Sequence, residues 1–409
     1  MAWIYMESTK NKSVISDIKL SFILQIVTYI APFLILSHVT KILGVELYGI
    51  YAIAFAIVSV IIIVFDFGLS LYSVREIANV SKDKIDEILC NNIVIKIMLF
   101  SFFIPLFLYL TYNVRYFEEN YWLFWYAFVF SLNLEWFFQA IRKISYQLYL
   151  RVITSVIQYV IVYYFIHGKQ DAYILPLSLF ISWTVNLIIS LFIIYRLGYR
   201  YKKTSFLNVI NMISQSKYFY SNKICINLIS KSATFIIGEF SSDREAAIFA
   251  IAEKIYLVGS SLILSVNRVL YPYMAKEKDL VFIRKIILFF IIISIPIFIS
   301  SYFLSEFIIN YFFGNEFSSS ASVLVLFTVV FIIEALNGII GYPVLAVYGK
   351  DKLLNKSILL SAVLHLSILL LFYINGVEIT AYNYVSSLMA CFLFDMTIRF
   401  YSYNKIVKN

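Results

Sequence analysis

The sequence predicts an all-α polytopic membrane protein with twelve transmembrane helices and both termini cytoplasmic. Two observations carry this. The 409 residues are 62% hydrophobic with a mean hydropathy of +0.85, well above the roughly 45 to 50% apolar content of soluble domains, and a water-facing surface cannot be made from such material. The basic residues also sort by side once the long apolar runs are read as membrane crossings.

A spanning helix needs about 20 mostly apolar residues, and twelve runs in this chain meet that need. The first, 20–40, follows a polar stretch, and no small-residue cleavage site comes after it, so it reads as a signal anchor. Runs 48–70, 90–111 and 121–141 come next, then 150–166 and 172–195. The run 217–240 is the most polar and the weakest. It is followed by 246–270, 284–311, 322–348, 356–374 and 379–400. The six prolines fall in or beside these runs and predict kinks, because neighbouring helices can satisfy the backbone groups a proline frees. Loops on the outer side are about ten residues long at most, which excludes a large catalytic loop there.

With these runs as crossings, 25 of the 33 Lys and Arg residues lie on the side of the N-terminus, from Lys10 through Arg75, Arg142, Arg151, Arg196, Arg268 and Lys350 to Arg399 and Lys408. Only Lys41, Arg115, Lys169 and Arg244 lie opposite, while Lys96, Lys223, Lys231 and Lys254 fall inside runs. The positive-inside rule then places both termini in the cytoplasm. A miscount by one helix would scramble the separation, so it supports the number twelve as well as the orientation. The formal charge of +9 is accordingly a set of loop charges beside anionic headgroups and carries no signal for nucleic acid. Three cysteines, Cys90, Cys225 and Cys391, sit in or at runs and read as packing residues.

The pattern Ile50-Tyr51-Ala52-Ile53-Ala54 recurs as Ile248-Phe249-Ala250-Ile251-Ala252, about half the chain later. An offset of six helices preserves orientation, so the echo predicts a parallel repeat, with an N-terminal six-helix lobe over 1–199 and a C-terminal one over 200–409.

Charges at membrane depth cost several kcal/mol and normally face a bundle interior or a watery cavity. Lys223, Asn227, Lys231 and Thr234 recur at helical spacing on one face of the seventh run, which is expected to line a polar cavity. Lys231 lies about 21 Å beyond Lys217 along a helix, too deep to snorkel easily. Either a substrate anion or a carboxylate such as Glu239 or Glu253 would answer it. In the eighth run, Glu253 and Lys254 stand side by side, and Arg268 lies towards the cytoplasm. Asp66 has Arg75 as its expected structural partner, and Lys96 is near enough to the cytoplasmic face to snorkel. Glu135 and Glu334 are deeper, each a proton or cation site or an interhelical hydrogen-bonding group. His38 and His365 read as packed neutral imidazoles. No phosphate loop, zinc motif or nucleophile elbow is present, so nothing argues for covalent chemistry, a cofactor or a metal.

The runs Lys41-Ile42-Leu43-Gly44, Tyr48-Gly49-Ile50-Tyr51, Asp66-Phe67-Gly68 and Arg75-Glu76-Ile77-Ala78 resemble the opening signature of Wzx-type O-antigen flippases. These form the polysaccharide transporter branch of the multidrug/oligosaccharidyl-lipid/polysaccharide (MATE/MOP-like) exporter superfamily. Trp136-Phe137-Phe138-Gln139-Ala140, Ala252-Glu253-Lys254-Ile255, Tyr271-Pro272 and Phe313-Gly314-Asn315-Glu316-Phe317 extend the resemblance in order, from about residue 20 to 350. One departure is Ala233, where many relatives carry an Asp before the Thr-Phe-Ile element, so a carboxylate coupling role there is not carried over.

The resemblance implies two six-helix lobes around a cationic cavity, in a protein of the bacterial inner membrane. Its implied substrate is an undecaprenyl-pyrophosphate-linked oligosaccharide, moved to the outer leaflet by alternating access. Lys41, Lys223, Asn227, Lys231, Lys254 and Arg268 are then the candidates for binding pyrophosphate or glycan, and Asp66, Arg75, Glu135, Glu253 and Glu334 those for coupling or gating. An H+ or Na+ gradient or the membrane potential is the implied driving force, and a polymerase and a chain-length regulator are the implied partners. A drug/cation antiporter of the same superfamily is the alternative, and it needs an acidic cavity. A polymerase would need long outer loops, and a peptidoglycan-precursor flippase usually has more helices.

Overall fold

The computed structural model describes the backbone of residues 2–77, 80–200, 202 and 204–408. Side chains are described from 30 to 407 except 78, 79, 83, 201, 203 and 218–230, and before that only at 23, 24, 27 and 28. Among the described residues the fold is helical throughout. The helices are α1 (Ala2–Asp66), α2 (Leu69–Ile77), α3 (Lys82–Asn113), α4 (Trp122–Ser131), α5 (Glu135–Ala140), α6 (Ile144–Phe165), α7 (Ile174–Arg196), α8 (Phe206–Phe240), α9 (Asp243–Glu277), α10 (Leu280–Phe313), α11 (Ser320–Ile340), α12 (Asp351–Ile374) and α13 (Ala381–Lys408). Eight helices among the described residues are long and apolar enough to cross a membrane. Their surfaces carry many exposed apolar side chains, such as Phe102, Phe303 and Ile292, as a bilayer-facing surface requires.

Helix falls on every apolar run, with two departures in how the helices are cut. The first two runs join in α1 across a kink at Gly44, whose φ of 79° and ψ of 177° are non-helical. The fourth run is broken: α4 stops at Ser131, and Asn133 Oδ1 then accepts the Glu135 amide at 2.8 Å to start α5. No glycine or proline marks that break. Pro32, Pro105, Pro272 and Pro296 lie inside helices, Pro343 lies in a π-helical turn, Gly341–Ala346, at the end of α11, and Pro176 lies in the first turn of α7.

The chain divides into two compact units, Met1–Leu43 with Ile53–Ser232, and Gly44–Ala52 with Ala233–Asn409. The division into these units falls inside α8, and a short piece of α1 belongs to the second unit.

In the first unit, α2 packs on α5 and α6 on α7. Its core includes Ile77, Leu89, Trp136, Phe137, Phe138, Leu150 and Ile194. Ile77 of one sequence motif thus meets Trp136, Phe137 and Phe138 of another in one apolar cluster.

In the second unit, α11 is the central helix, packed on α9, α10 and α13. The Ser242 hydroxyl caps the start of α9 by accepting the Glu245 amide at 3.2 Å, and Asp279 caps α10 through the Phe282 amide at 2.8 Å. Each satisfies an amide that the first turn of a helix leaves without an intrahelical partner.

The segment 44–52 is fastened to this second unit by three contacts. Glu316 Oε2 accepts the Val45 amide at 3.0 Å, the Tyr48 ring, 1% exposed, meets Phe317 edge-on at 6.0 Å, and Gly49 lies against the Asp243 carbonyl. The opening motif and the loop motif at 313–317 are two sides of this one junction.

Candidate functional site

The polar groups at membrane depth form separate clusters within each unit. In the first unit, Lys96 Nζ lies 3.6 Å from Asp66 Oδ1, and the Ser70 hydroxyl donates to the same oxygen. Lys96 is only 2% exposed. This corrects one expectation, since Lys96 does not snorkel, and it adds Lys96 as an ion-pair partner of Asp66, with Arg75 exposed on α2. A buried lysine without a counter-charge would be driven neutral or outward, so the carboxylate at the end of α1 is what allows it to stay.

The second cluster forms where α4 breaks. Glu135 Oε2 accepts Arg151 Nη2 at 2.8 Å, the Gln147 amide donates to the Glu135 carbonyl, and the Arg151 guanidinium lies over the Trp183 ring at 4.8 Å. Arg151 was expected among the loop charges. It is inside α6 because that helix starts at Ile144, almost two turns before the apolar run does. Glu135 Oε1 and Arg151 Nε are buried with no hydrogen-bond partner among the described residues, so this ion pair has unspent bonding capacity.

In the second unit, Glu334 Oε2 accepts both the Tyr256 hydroxyl at 2.7 Å and the Ser260 hydroxyl at 2.8 Å. The Tyr256 ring stacks on Phe327 at 4.8 Å, which fixes its hydroxyl. Glu253 is half-buried on α9. Glu334→Ala is expected to destabilise the protein by about 1 to 3 kcal/mol, the cost of orphaning half-buried donors, and Glu334→Gln to recover most of that because the amide oxygen still accepts. A detergent melt showing Glu334→Gln as unstable as Glu334→Ala would refute this account.

A third ion pair joins Arg399 and Asp395, one turn apart on α13, with Arg399 Nη2 at 2.7 Å from Asp395 Oδ2. Arg399 Nη1 also donates to the Asn337 carbonyl at 2.8 Å, beside the π-helical turn. Arg399 was expected at the cytoplasmic surface, yet it is 7% exposed. His365 is the packed imidazole anticipated for it, hydrogen-bonded through Nδ1 to Ser387 at 2.9 Å, and His38 lies beside Tyr163.

Of the predicted cations, Lys41 is exposed on α1, Lys231 on α8 and Arg268 on α9, and Lys254 is half-buried. The side chains of Lys223 and Asn227 lie outside the described residues, as does Cys225. On α8, Thr234 is buried and Lys231 is exposed. The groups that sequence reasoning missed as partners are Arg151, Gln147 and Tyr256. Only Arg151 carried a usable signal, a charge two turns into an uninterrupted helical stretch.

The chain is similar to two curated proteins along most of its length. It is 21% identical over 368 residues to a "Putative O-antigen transporter" of Shigella dysenteriae, covering 86% of this chain and 90% of that protein. To the protein of the same name in Escherichia coli strain K12 it is 24% identical over 361 residues, covering 84% and 86%. Among solved structures it resembles an inward-facing multidrug resistance MATE family transporter of the MOP superfamily, with a TM-score of 0.69 at 13% identity and 92% of both chains covered. It also resembles the lipid II flippase MurJ in an inward closed conformation, with a TM-score of 0.65 at 14% identity, covering 95% of this chain and 87% of that one. These likenesses show a shared fold. The family model described as polysaccharide biosynthesis protein matches residues 14–278, more than half of the chain, and the protein belongs to that family.

Proposed function

We propose that the protein is a flippase that moves an undecaprenyl-pyrophosphate-linked oligosaccharide, a repeat unit of O-antigen or another surface polysaccharide, from the cytoplasmic to the outer leaflet of the bacterial inner membrane. The observation that carries this reading is the pair of O-antigen transporter relatives matched over more than four-fifths of the chain. Membership in a polysaccharide biosynthesis family supports it. The chain then has twelve crossings in two six-helix lobes, cytoplasmic termini and alternating access to either side. A transporter needs no covalent chemistry or cofactor for this step. A polymerase and a chain-length regulator are its natural partners, since they take up the exported unit.

Each sugar hydroxyl moved into hydrocarbon without a partner costs roughly 4 to 8 kcal/mol, so an unaided oligosaccharide does not cross. The pyrophosphate calls for cations, for which Lys41, Lys223, Lys231, Lys254 and Arg268 are the candidates, with Asn227 a candidate for the glycan. Outward movement of two negative charges across 100 mV, inside negative, gains about 4.6 kcal/mol. The potential alone can therefore bias export. Glu334, Glu253, Glu135 and the Asp66 pair are the groups through which an H+ or Na+ gradient would act, with Arg75 on the neighbouring α2. The drug/cation antiporter alternative has only the shared fold in its favour.

A deletion strain tests the reading. Single repeat units are expected to accumulate on the lipid carrier, protected on the cytoplasmic side, with loss of the surface polymer. Normal polysaccharide would end the proposal. In the complemented strain, Lys231→Ala and Lys254→Ala are each expected to lower export about tenfold, the loss of one charge-assisted contact of about 1.5 kcal/mol, at unchanged protein level. Unchanged export in both would remove these lysines from the site.

A further inference from the structure

The first unit carries a slot that the function above does not use. It runs along α3 from Phe100 to Tyr112, beside α4 and the loop between them, and encloses about 430 Å³. Its floor is a set of interlocked buried rings. Phe107 meets Phe100 at 5.2 Å and Phe124 at 4.7 Å, and Phe117 stacks on Phe124 at 4.5 Å. These rings are at most 7% exposed, so the slot is preformed and does not depend on mobile side chains closing over a gap. Its rim is exposed: Ile104 is 42%, Leu108 54% and Trp125 49% exposed.

Two properties define the occupant. From Phe100 to Leu108 the α3 wall is apolar, and the Thr111 hydroxyl beyond it turns its proton to the carbonyls of Phe107 and Leu108 at 2.6 and 3.0 Å. A sugar against that wall would lose its hydration without replacement, so the wall favours hydrocarbon. The length agrees: the twelve steps along the helix from Phe100 to Tyr112 rise about 18 Å, close to the roughly 15 Å half-thickness of a bilayer's hydrocarbon core. The slot is therefore as deep as one leaflet, on a helix long and apolar enough to span.

At the mouth, Glu118 and Glu119 are exposed, and Tyr121 lines the opening beside Glu118. Arg115, in the same loop, leans on Tyr116, its Nη2 donating to the Tyr116 hydroxyl at 3.2 Å. Two carboxylates and one guanidinium suit a zwitterionic head, the ammonium to Glu118 and the phosphate to Arg115, and oppose a head that is only anionic. We propose that this slot holds one acyl chain of an amine-headed, zwitterionic membrane phospholipid, with the head recognised at Glu118. The pyrophosphate-linked carrier is a different ligand, excluded from this slot by its charge.

The test is native mass spectrometry of the full-length protein, exchanged into an equal mixture of phosphatidylethanolamine and phosphatidylglycerol with matched chains. The wild type is expected to retain the ethanolamine lipid over the glycerol lipid by about tenfold. Ile104→Trp, which fills the slot from its exposed rim, should erase the excess, and Glu118→Lys should reverse it. Leu108→Trp replaces the first variant if that one is not monodisperse. Equal retention of both lipids by the wild type overturns the proposal, as does an excess that survives both substitutions. Displacement of the phospholipid by added undecaprenyl diphosphate also overturns it and would assign the slot to the transported carrier. No transport is read, so failure here is separable from failure of the proposed function.

Discussion

Gly49→Ala is expected to cost the protein about 3 kcal/mol and most of its monodisperse yield. A Cβ at this position would stand 2.0 Å from the Asp243 carbonyl oxygen and 2.6 Å from its carbon. Both are backbone atoms at the start of α9, where the Ser242 cap and the first helical turn hold them in place. They cannot rotate aside as a side-chain tip can, so backbone must shift. Overpacking of this kind costs roughly 1 to 3 kcal/mol, occasionally more, and the contact falls at the upper end because two rigid helices meet in it. Gly168→Ala is the control: its nearest neighbour, the Gln170 amide, lies at 3.7 Å, ordinary van der Waals distance. Thermal unfolding in detergent should separate the two variants clearly. Equal melting of Gly49→Ala and wild type would mean that 44–52 is not fastened to the second unit as described.

The same junction shows how far the sequence could be read. The motif around Gly44, Tyr48 and Gly49 was visible, as was the loop at 313–317, but nothing in their spacing says that one receives the other. The kink at Gly44 needs a left-handed backbone, which glycine supplies without steric cost. The carboxylate of Glu316 then takes the Val45 amide that the kink frees from the helix. Hydrophobic runs locate helices because every crossing must bury its backbone bonds within itself. Tertiary partners follow no such local law.

Charged residues near the ends of runs were the hardest to place. Arg151 and Arg399 look like loop charges when a helix is taken to begin or end with its apolar stretch. Both are inside helices, because a polar first turn and a charged last turn are still helical. Lys96 was treated as able to reach the surface along its own stem, and its burial became apparent only with Asp66 and Ser70 on neighbouring segments. Asp395 and Arg399, four apart, did carry a local signal, since that spacing puts them on one helix face.

Asp395→Ala should be the most damaging of the charge deletions, at about 3 to 5 kcal/mol. Arg399 holds its carboxylate by two hydrogen bonds, Nε to Oδ1 at 2.8 Å and Nη2 to Oδ2 at 2.7 Å. The partners are 7% and 4% exposed. Removal of Asp395 leaves a guanidinium that cannot lose its proton in a place where water does not reach, and breaking one side of such a pair is what costs several kcal/mol. Arg399→Met should be comparably harmful, because it strands the carboxylate. The double variant, Asp395→Leu with Arg399→Met, is expected to recover most of the loss, since removing both charges of a buried pair is often neutral. The Asn337 carbonyl loses its guanidinium donor but keeps the Gly341 amide, so no acceptor is orphaned. A double-mutant cycle on detergent melts, with Asp395→Leu and Arg399→Met as its single variants, measures this directly. If the double variant melts as low as the sum of the singles, the pair is not closed off from water, and its role at the π-helical turn must lie in geometry instead of charge compensation.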